Sequence, residues 1–244
     1  MGNKQQITDF LWFSYFGITP NCDDDIKIQK CIERAYRDLN RTIAFTYSQS
    51  VLDKKSDQTL SQDARSKYIE AKQAFKSDLI KDIKQEVTNL PEKLKEKGFR
   101  EWHNDLCVKI VKHNPDVDDL NVRVLKNNLS YGQAQKWVNM TLKYMWLMGL
   151  IEDQKQLCVP IDNYILRELY GKDMDSFEIT EDGDTYKVKQ KNGKTAYPWS
   201  KFPDSGFYYG LDEEIKAIIG DKMPLAWENE VWLKSSQPNE SEDS

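Results

Sequence analysis

Residues 129–149, LSYGQAQKWVNMTLKYMWLMG, decide the fold predicted for this chain, because they form a helix that is apolar on nearly every side. Ser130 followed three residues later by Gln133 fits a capping box, and Gly132 is placed in the turn before the helix. The large apolar side chains are Trp137, Val138, Met140, Leu142, Tyr144, Met145, Trp146, Leu147 and Met148. Such a helix belongs in the middle of a domain, so we predict a mainly helical fold around it.

Three polar residues interrupt this apolar helix. Lys136, Asn139 and Lys143 recur at i, i+3 and i+7, which places them along one stripe. In one interpretation the lysines lie at a helix edge and extend their ammonium groups to the surface. In the other, Lys136 and Asn139 line a polar cleft with Asp162 opposite them, since an unpaired buried ammonium is costly.

Asp162 is the second polar residue in an apolar setting. It follows a proline in the stretch Cys158–Arg167, CVPIDNYILR, at the predicted start of a helix. An aspartate there is a natural N-cap. It is also a carboxylate that an enzyme could use to stabilise a cationic sugar. Both interpretations stay open on the residues alone.

Amphipathic helices are predicted through most of the preceding chain. The first begins at Asp23–Asp25 and the second near Ser61, and the third runs from Pro91 toward His113, before Asn114–Pro115. Their apolar faces are Ile28, Ile32, Ala35, Leu39 and Ile43; Ala64, Tyr68, Ala71, Phe75, Leu79 and Ile83; and Phe99, Trp102, Leu106 and Ile110.

The pattern changes after Gly171. Short alternating segments flank Asp182–Gly183, and Lys191–Lys194 is a second turn signal, so residues 175–200 are predicted to form a small β-hairpin or a three-stranded insert. Helices are predicted again at Leu211–Ile219 and after Pro224. We expect one mainly helical domain over residues 1–234, with 129–170 as its functional region, and a disordered polar tail over 235–244.

Composition limits the protein class. The chain has 244 residues with a formal net charge of −5, which argues weakly against a large DNA footprint but not against a local basic groove. The apolar run Ile7–Ile18 contains Asp9, is too short to span a bilayer, and lacks the features of a signal peptide. We expect a cytoplasmic protein with no membrane partner; the sequence leaves the oligomeric state open, with a monomer favoured.

The cysteines and histidines predict no metal site. Cys22, Cys31, Cys107 and Cys158 form no CxxC pair, and the two histidines, His103 and His113, do not complete a ligand set. We therefore expect reduced, mostly buried thiols and neither metal nor cofactor.

Two segments together resemble the helix-hairpin-helix DNA glycosylase superfamily, which includes 8-oxoguanine DNA glycosylase and endonuclease III. They are residues 129–136, a glycine-containing turn that leads to Lys136, and residues 159–162, the Val-Pro-Ile-Asp element. The resemblance implies that Asp162 is the catalytic carboxylate. It also implies that Lys136 is the amine that attacks the sugar in strand-cleaving members.

The resemblance further implies a DNA partner and a flipped base held in an aromatic pocket. The hairpin amides of Tyr131, Gly132 and Gln133 would hold a DNA phosphate. The predicted substrate-binding residues are Asn139, Trp137, Lys143 and Tyr164, and further candidate aromatic walls are Trp199, Trp227 and Trp232. The candidate phosphate contacts are Lys126, Lys143, Arg167, Lys172 and Lys201.

Two other functions stay open. The chain is a non-catalytic helical module that binds DNA or protein if Asp162 is only a helix cap. It belongs to another enzyme class, such as the nucleases, if Glu168 or the pair Glu228 and Glu230 performs the chemistry.

Overall fold

The computed structural model describes residues 3–53, 60–118, 120–170, 177–182, 185–190 and 199–235. It is mainly helical with a small antiparallel β-hairpin, which confirms the predicted fold class. The residues group into two compact units, Met1–Leu129 and Ser130–Ser244. Within the described residues, no helix combines the length and the apolar character needed to cross a membrane.

The first unit is built from five helices in its described part. These are α1 (Asn3–Phe16), α2 (Asp24–Leu39), α3 (Gln49–Asp53), α4 (Gln62–Thr88) and α5 (Leu90–Lys112). Helix α2 packs on α4, and α4 packs on α5. Ile32, Leu79 and Ile110 are among the fully buried side chains of this core.

The amphipathic patterns of the first unit are confirmed. The predicted apolar positions of α2 and α5 are buried, and in α4 the larger ones, from Tyr68 to Ile83, are buried as well. The Ser61 hydroxyl accepts a 3.1 Å hydrogen bond from the Ala64 amide, as an N-cap does. A short antiparallel ribbon of β1 (Asp116–Val117) and β2 (Val122–Arg123) follows α5 and was not predicted.

The second unit contains the predicted central helix. Its elements are α6 (Tyr131–Leu147), α7 (Asn163–Tyr170), β3 (Phe177–Asp182), β4 (Thr185–Gln190), α8 (Ser205–Ile219) and α9 (Pro224–Ser235). Helix α6 packs against α8 and against a 3₁₀ turn at Trp199–Lys201, while α9 packs against α7 and α8. The capping box of Ser130 and Gln133 is confirmed.

Several predicted boundaries in the second unit are corrected. Strands β3 and β4 pair antiparallel as expected, but the insert does not reach residue 200, because Trp199–Lys201 forms a 3₁₀ turn. Helix α8 begins at Ser205 rather than Leu211, since the Asp204 carboxylate accepts a 2.9 Å hydrogen bond from the Phe207 amide and caps it. Gly132 lies in the first turn of α6, not before it. The predicted tail beyond Ser235 lies outside the described residues.

A buried four-charge cluster as a candidate active site

The structure brings Lys136 and Asp162 together. The Lys136 Nζ atom on α6 lies 2.6 Å from the Asp162 Oδ2 atom, which stands immediately before α7. The exposed fractions of the two side chains are 5% and 8%. A buried carboxylate and ammonium at this distance form a charge-assisted hydrogen bond, so the two sequence-predicted catalytic residues are in direct contact.

Asp162 is also a helix cap. Its Oδ1 atom accepts hydrogen bonds from the backbone amides of Tyr164 at 2.9 Å and Ile165 at 3.2 Å. The two interpretations of this residue are therefore compatible: one oxygen caps α7, and the other meets Lys136. Capping also fixes the orientation of the carboxylate, because both amides belong to the same helical turn.

Gln135 holds the Asp162 segment against α6. Its side-chain amide donates to the Gly132 carbonyl at 3.0 Å and to the Ile161 carbonyl at 3.1 Å. Its side-chain oxygen accepts from the Ile161 amide at 3.4 Å. The backbone beside Asp162 is thus tied to the helix that carries Lys136, which sets the separation of the two charged groups.

A second buried ion pair lies next to the first. Lys143, two turns along α6, pairs with Glu228 of α9, and the Glu228 side chain is fully buried. Burial raises the pKa of the Glu228 carboxyl above its ordinary value of 4.5, an effect that the Lys143 ammonium opposes and does not cancel. Lys136 and Asp162 also act electrostatically on Glu228. We call Lys136, Asp162, Lys143 and Glu228 the four-charge cluster.

Aromatic rings enclose the four-charge cluster. The Trp232 ring centroid lies 5.7 Å from the Lys136 Nζ atom and 5.3 Å from the Lys143 Nζ atom, and the Trp199 centroid lies 5.7 Å from Lys136 Nζ. The Tyr164 ring packs on Trp232 with centroids 4.4 Å apart. Trp232 is half-buried and Tyr164 is 39% exposed, so this pair of rings extends from the cluster to the protein surface.

The predicted polar stripe divides between two environments. Asn139 is fully buried and donates to the Tyr208 hydroxyl at 2.7 Å and to the Val159 carbonyl at 3.3 Å, so its substrate role stays a prediction. Trp137 and Trp227 are core side chains. Lys143 is buried in its ion pair, which removes it as a phosphate contact.

The predicted phosphate-binding hairpin is also corrected. The Gly132 amide donates to the Phe202 carbonyl at 3.3 Å, the Gln133 amide donates to the Ser130 hydroxyl at 3.1 Å, and Tyr131 is buried. The Gly132 and Gln133 amides are therefore already hydrogen-bonded within the unit. The preceding helix, α5, already ends at Lys112, so residues 129–136 are not a tight hairpin between consecutive helices.

The other predicted phosphate contacts lie at the surface or outside the described residues. Arg167 and Lys201 are exposed in the second unit. Lys126 is exposed in the first unit. Lys172 lies outside the described residues.

A second buried polar group surrounds Cys158. Its thiol hydrogen bonds with Tyr208 and Asp212, and burial raises its pKa well above the ordinary value. Burial also raises the pKa of Asp212 above 3.8, although Lys216, 2.7 Å away, opposes the shift. A thiol with a raised pKa is a poor nucleophile, so we assign Cys158 no catalytic role. The contacts of Cys158 with Tyr208 and Asp212 instead hold α8 against the segment before Asp162.

The cysteines are free, and three of the four are buried, which confirms the predicted burial of most of them. Among the residues that the structure describes, no group of three or more His, Cys, Asp and Glu side chains could hold a metal ion.

Sequence reasoning missed Gln135, and it named Glu228 only as part of an alternative enzyme site. Both carry a local signal, since each is a polar side chain within an apolar helical segment. The pairing of Glu228 with Lys143 had no such signal, because the two residues lie on different helices and helical spacing predicts only neighbours within one helix.

No protein-family model, curated protein or solved structure matches the chain.

Proposed function

We propose that the second unit is a DNA N-glycosylase that hydrolyses the bond between a damaged or modified base and its sugar, in a repair or an antiviral defence role. The observation that carries this proposal is the 2.6 Å contact between Lys136 and Asp162 within an aromatic enclosure. Buried charges cost several kcal/mol per ion, and replacing them with apolar residues is often stabilising, so the buried Lys136–Asp162 pair indicates a role beyond stability.

Asp162 supplies the electrostatic stabilisation in the proposed reaction. Cleavage of an N-glycosidic bond leaves positive charge on the deoxyribose, and an adjacent carboxylate stabilises that charge and orients the attacking water. Because Asp162 is fixed by two backbone amides, it needs little reorganisation as the charge develops.

Lys136 has a positioning role in this proposal rather than a nucleophilic one. An ammonium that donates to a carboxylate has no lone pair to offer to the sugar. We therefore expect hydrolysis without a covalent enzyme–DNA intermediate. Sodium borohydride should trap no such complex, whereas a trapped complex that is lost in Lys136→Gln would assign the strand-cleaving chemistry to Lys136.

Access to the carboxylate requires the outer rings to move. Trp232 packs on the partly exposed Tyr164 ring and already places an aromatic ring beside both ammonium groups. A flipped base would take the place of the Trp232 ring and stack on Trp199 or Tyr164. Arg167 and Lys201 are exposed cations of this unit that would contact the phosphates.

The test is base release from oligonucleotides that carry a panel of damaged and modified bases, measured by mass spectrometry of the free base. Asp162→Asn keeps the helix cap and removes the charge, so release should fall at least about 100-fold. The double variant Lys143→Met/Glu228→Leu removes the neighbouring pair and leaves Asp162 in place, so it is the matched control and should keep release within about tenfold. Undiminished release by folded Asp162→Asn would overturn the assignment.

One observation favours the alternative of a non-catalytic binding module. Asp162 has a complete structural role as the cap of α7 and the partner of Lys136. Under this alternative the wild-type protein binds DNA or a protein but releases no base. The variant Lys136→Met/Asp162→Asn would then bind as tightly as the wild type.

A further inference from the structure

The N-terminal helix α1 presents an apolar surface to solvent. Ile7, Phe10, Leu11 and Phe13 are between 52% and 66% exposed. Ile7, Phe10 and Leu11 recur at i, i+3 and i+4 and form one stripe, and Phe13 flanks it. Large apolar side chains contiguous on a monomer surface mark an interaction site.

The stripe faces away from the contacts that α1 makes within its own unit. Trp12 and Phe16, which lie one turn apart on the side of α1 opposite Ile7 and Phe10, are half-buried, and α1 packs on α2. The inward side of α1 is therefore used for packing on α2. Ile7, Phe10 and Leu11 lie on the other side of the helix.

We propose that α1 forms an antiparallel dimer with α1 of a second copy of this chain. A twofold axis that passes near Phe10 and Leu11 would place the stripe on an identical stripe, which is the isologous arrangement of most homodimers. Antiparallel helix dipoles attract each other. The same arrangement brings Lys4, the basic residue of α1, to the negative C-terminal end of the other helix.

The area agrees with a weak dimer. Four large side chains that are each more than half exposed offer about 400 Å² per copy, or about 800 Å² in total, which is below the roughly 1,000 Å² of a stable specific interface and in the range of weak, transient association. We expect dissociation constants in the micromolar range. A lipid surface is the less favoured occupant, because interfacial helices carry a basic polar face and the sequence of α1 holds one lysine and no arginine.

Two variants that introduce opposite charges at Phe10 test the dimer by sedimentation velocity over a range of protein concentrations. The wild-type chain of 28.6 kDa should dimerise as concentration rises toward about 100 µM. Phe10→Lys and Phe10→Glu should each weaken self-association at least tenfold, and mixing them should restore a heterodimer. Ile218→Lys, at an exposed aliphatic position of α8 that is 60% exposed, is the matched control and should dimerise like the wild type.

Circular dichroism confirms that each variant is folded, and Leu11→Asp replaces any Phe10 variant that is not. A wild-type chain that stays monomeric at about 100 µM overturns the proposal, as do Phe10 variants that dimerise normally or fail to pair when mixed. Co-flotation of monomeric wild-type protein with phosphatidylcholine vesicles would overturn it in favour of a lipid surface.

Discussion

Gly132 is a residue at which the structure leaves no room for a side chain. A Cβ atom at this position would lie 1.8 Å from the Trp199 carbonyl oxygen, which is a backbone atom that cannot rotate away. We expect Gly132→Ala to destabilise the second unit by about 3 kcal/mol and to move Trp199 away from Lys136. Urea unfolding measures the first effect. Gly210→Ala is the control, because a Cβ atom there would have no neighbour within 4 Å and alanine is the better helix former, so it should be neutral or stabilising.

Asp212 gives the stability a defined pH dependence. Burial raises the pKa of its carboxyl above 3.8 in the folded state, so the folded protein holds this proton more tightly than the unfolded chain. The stabilisation is present below pH 3.8 and is lost as the pH rises through the raised pKa. The free energy of unfolding, measured against Asp212→Asn from about pH 3 to pH 7, should therefore fall for the wild type relative to the variant. A difference that is constant with pH would contradict this assignment.

At the scale of elements, the Lys143–Glu228 pair joins α6 to α9. Glu228→Gln leaves a buried ammonium without its carboxylate, and we expect it to cost about 3–5 kcal/mol. Lys143→Met/Glu228→Leu removes both charges and should lie within about 1 kcal/mol of the wild type or above it. Urea unfolding of the double variant and of the single variants Lys143→Met and Glu228→Leu gives the complete double-mutant cycle. Additive losses in the double variant would show that the pair is not coupled.

Elements were predictable where the signal is local. The 3.6-residue period predicted α2, α4 and α5, and the Ser130–Gln133 capping box of α6 was recognised although Gly132 was placed before the helix, because burial of one face and hydrogen bonding at a helix end are encoded within a few residues. The start of α8 was placed six residues late, because the glycine and tyrosines after Asp204 have weak helix propensity and are held in the helix by packing.

Contacts between elements were only partly predictable. Asp162 was predicted to lie opposite Lys136 because both residues lie in apolar segments and a buried charge without a partner of opposite sign is costly. Asn139 shares the helical stripe with Lys136, yet it bonds to Tyr208, because a stripe on a helix is wide enough to meet two different neighbours. Glu228 could not be assigned to Lys143, since that pairing depends on how α9 packs.

At the scale of the whole molecule, the division between Leu129 and Ser130 predicts that the first unit folds on its own. The first unit has its own core, with Cys31, Ile32, Leu79 and Ile110 fully buried. We expect a fragment of residues 1–129 to be helical and to unfold cooperatively on its own. Circular dichroism during urea titration measures this. A fragment without helix or without a cooperative transition would support the prediction of one continuous domain over residues 1–234.

The four-charge cluster also constrains how this protein can change over evolutionary time. Each of its carboxylates is matched by an ammonium, so a single loss leaves an unmatched charge in the interior, whereas a paired loss does not. Mutational paths that pass through one substitution at a time are therefore blocked at these positions. Descendants of this sequence should keep Lys143 and Glu228 together or replace them together, and the same holds for Lys136 and Asp162. We therefore expect the two residues of each ion pair to covary in an alignment of homologous sequences.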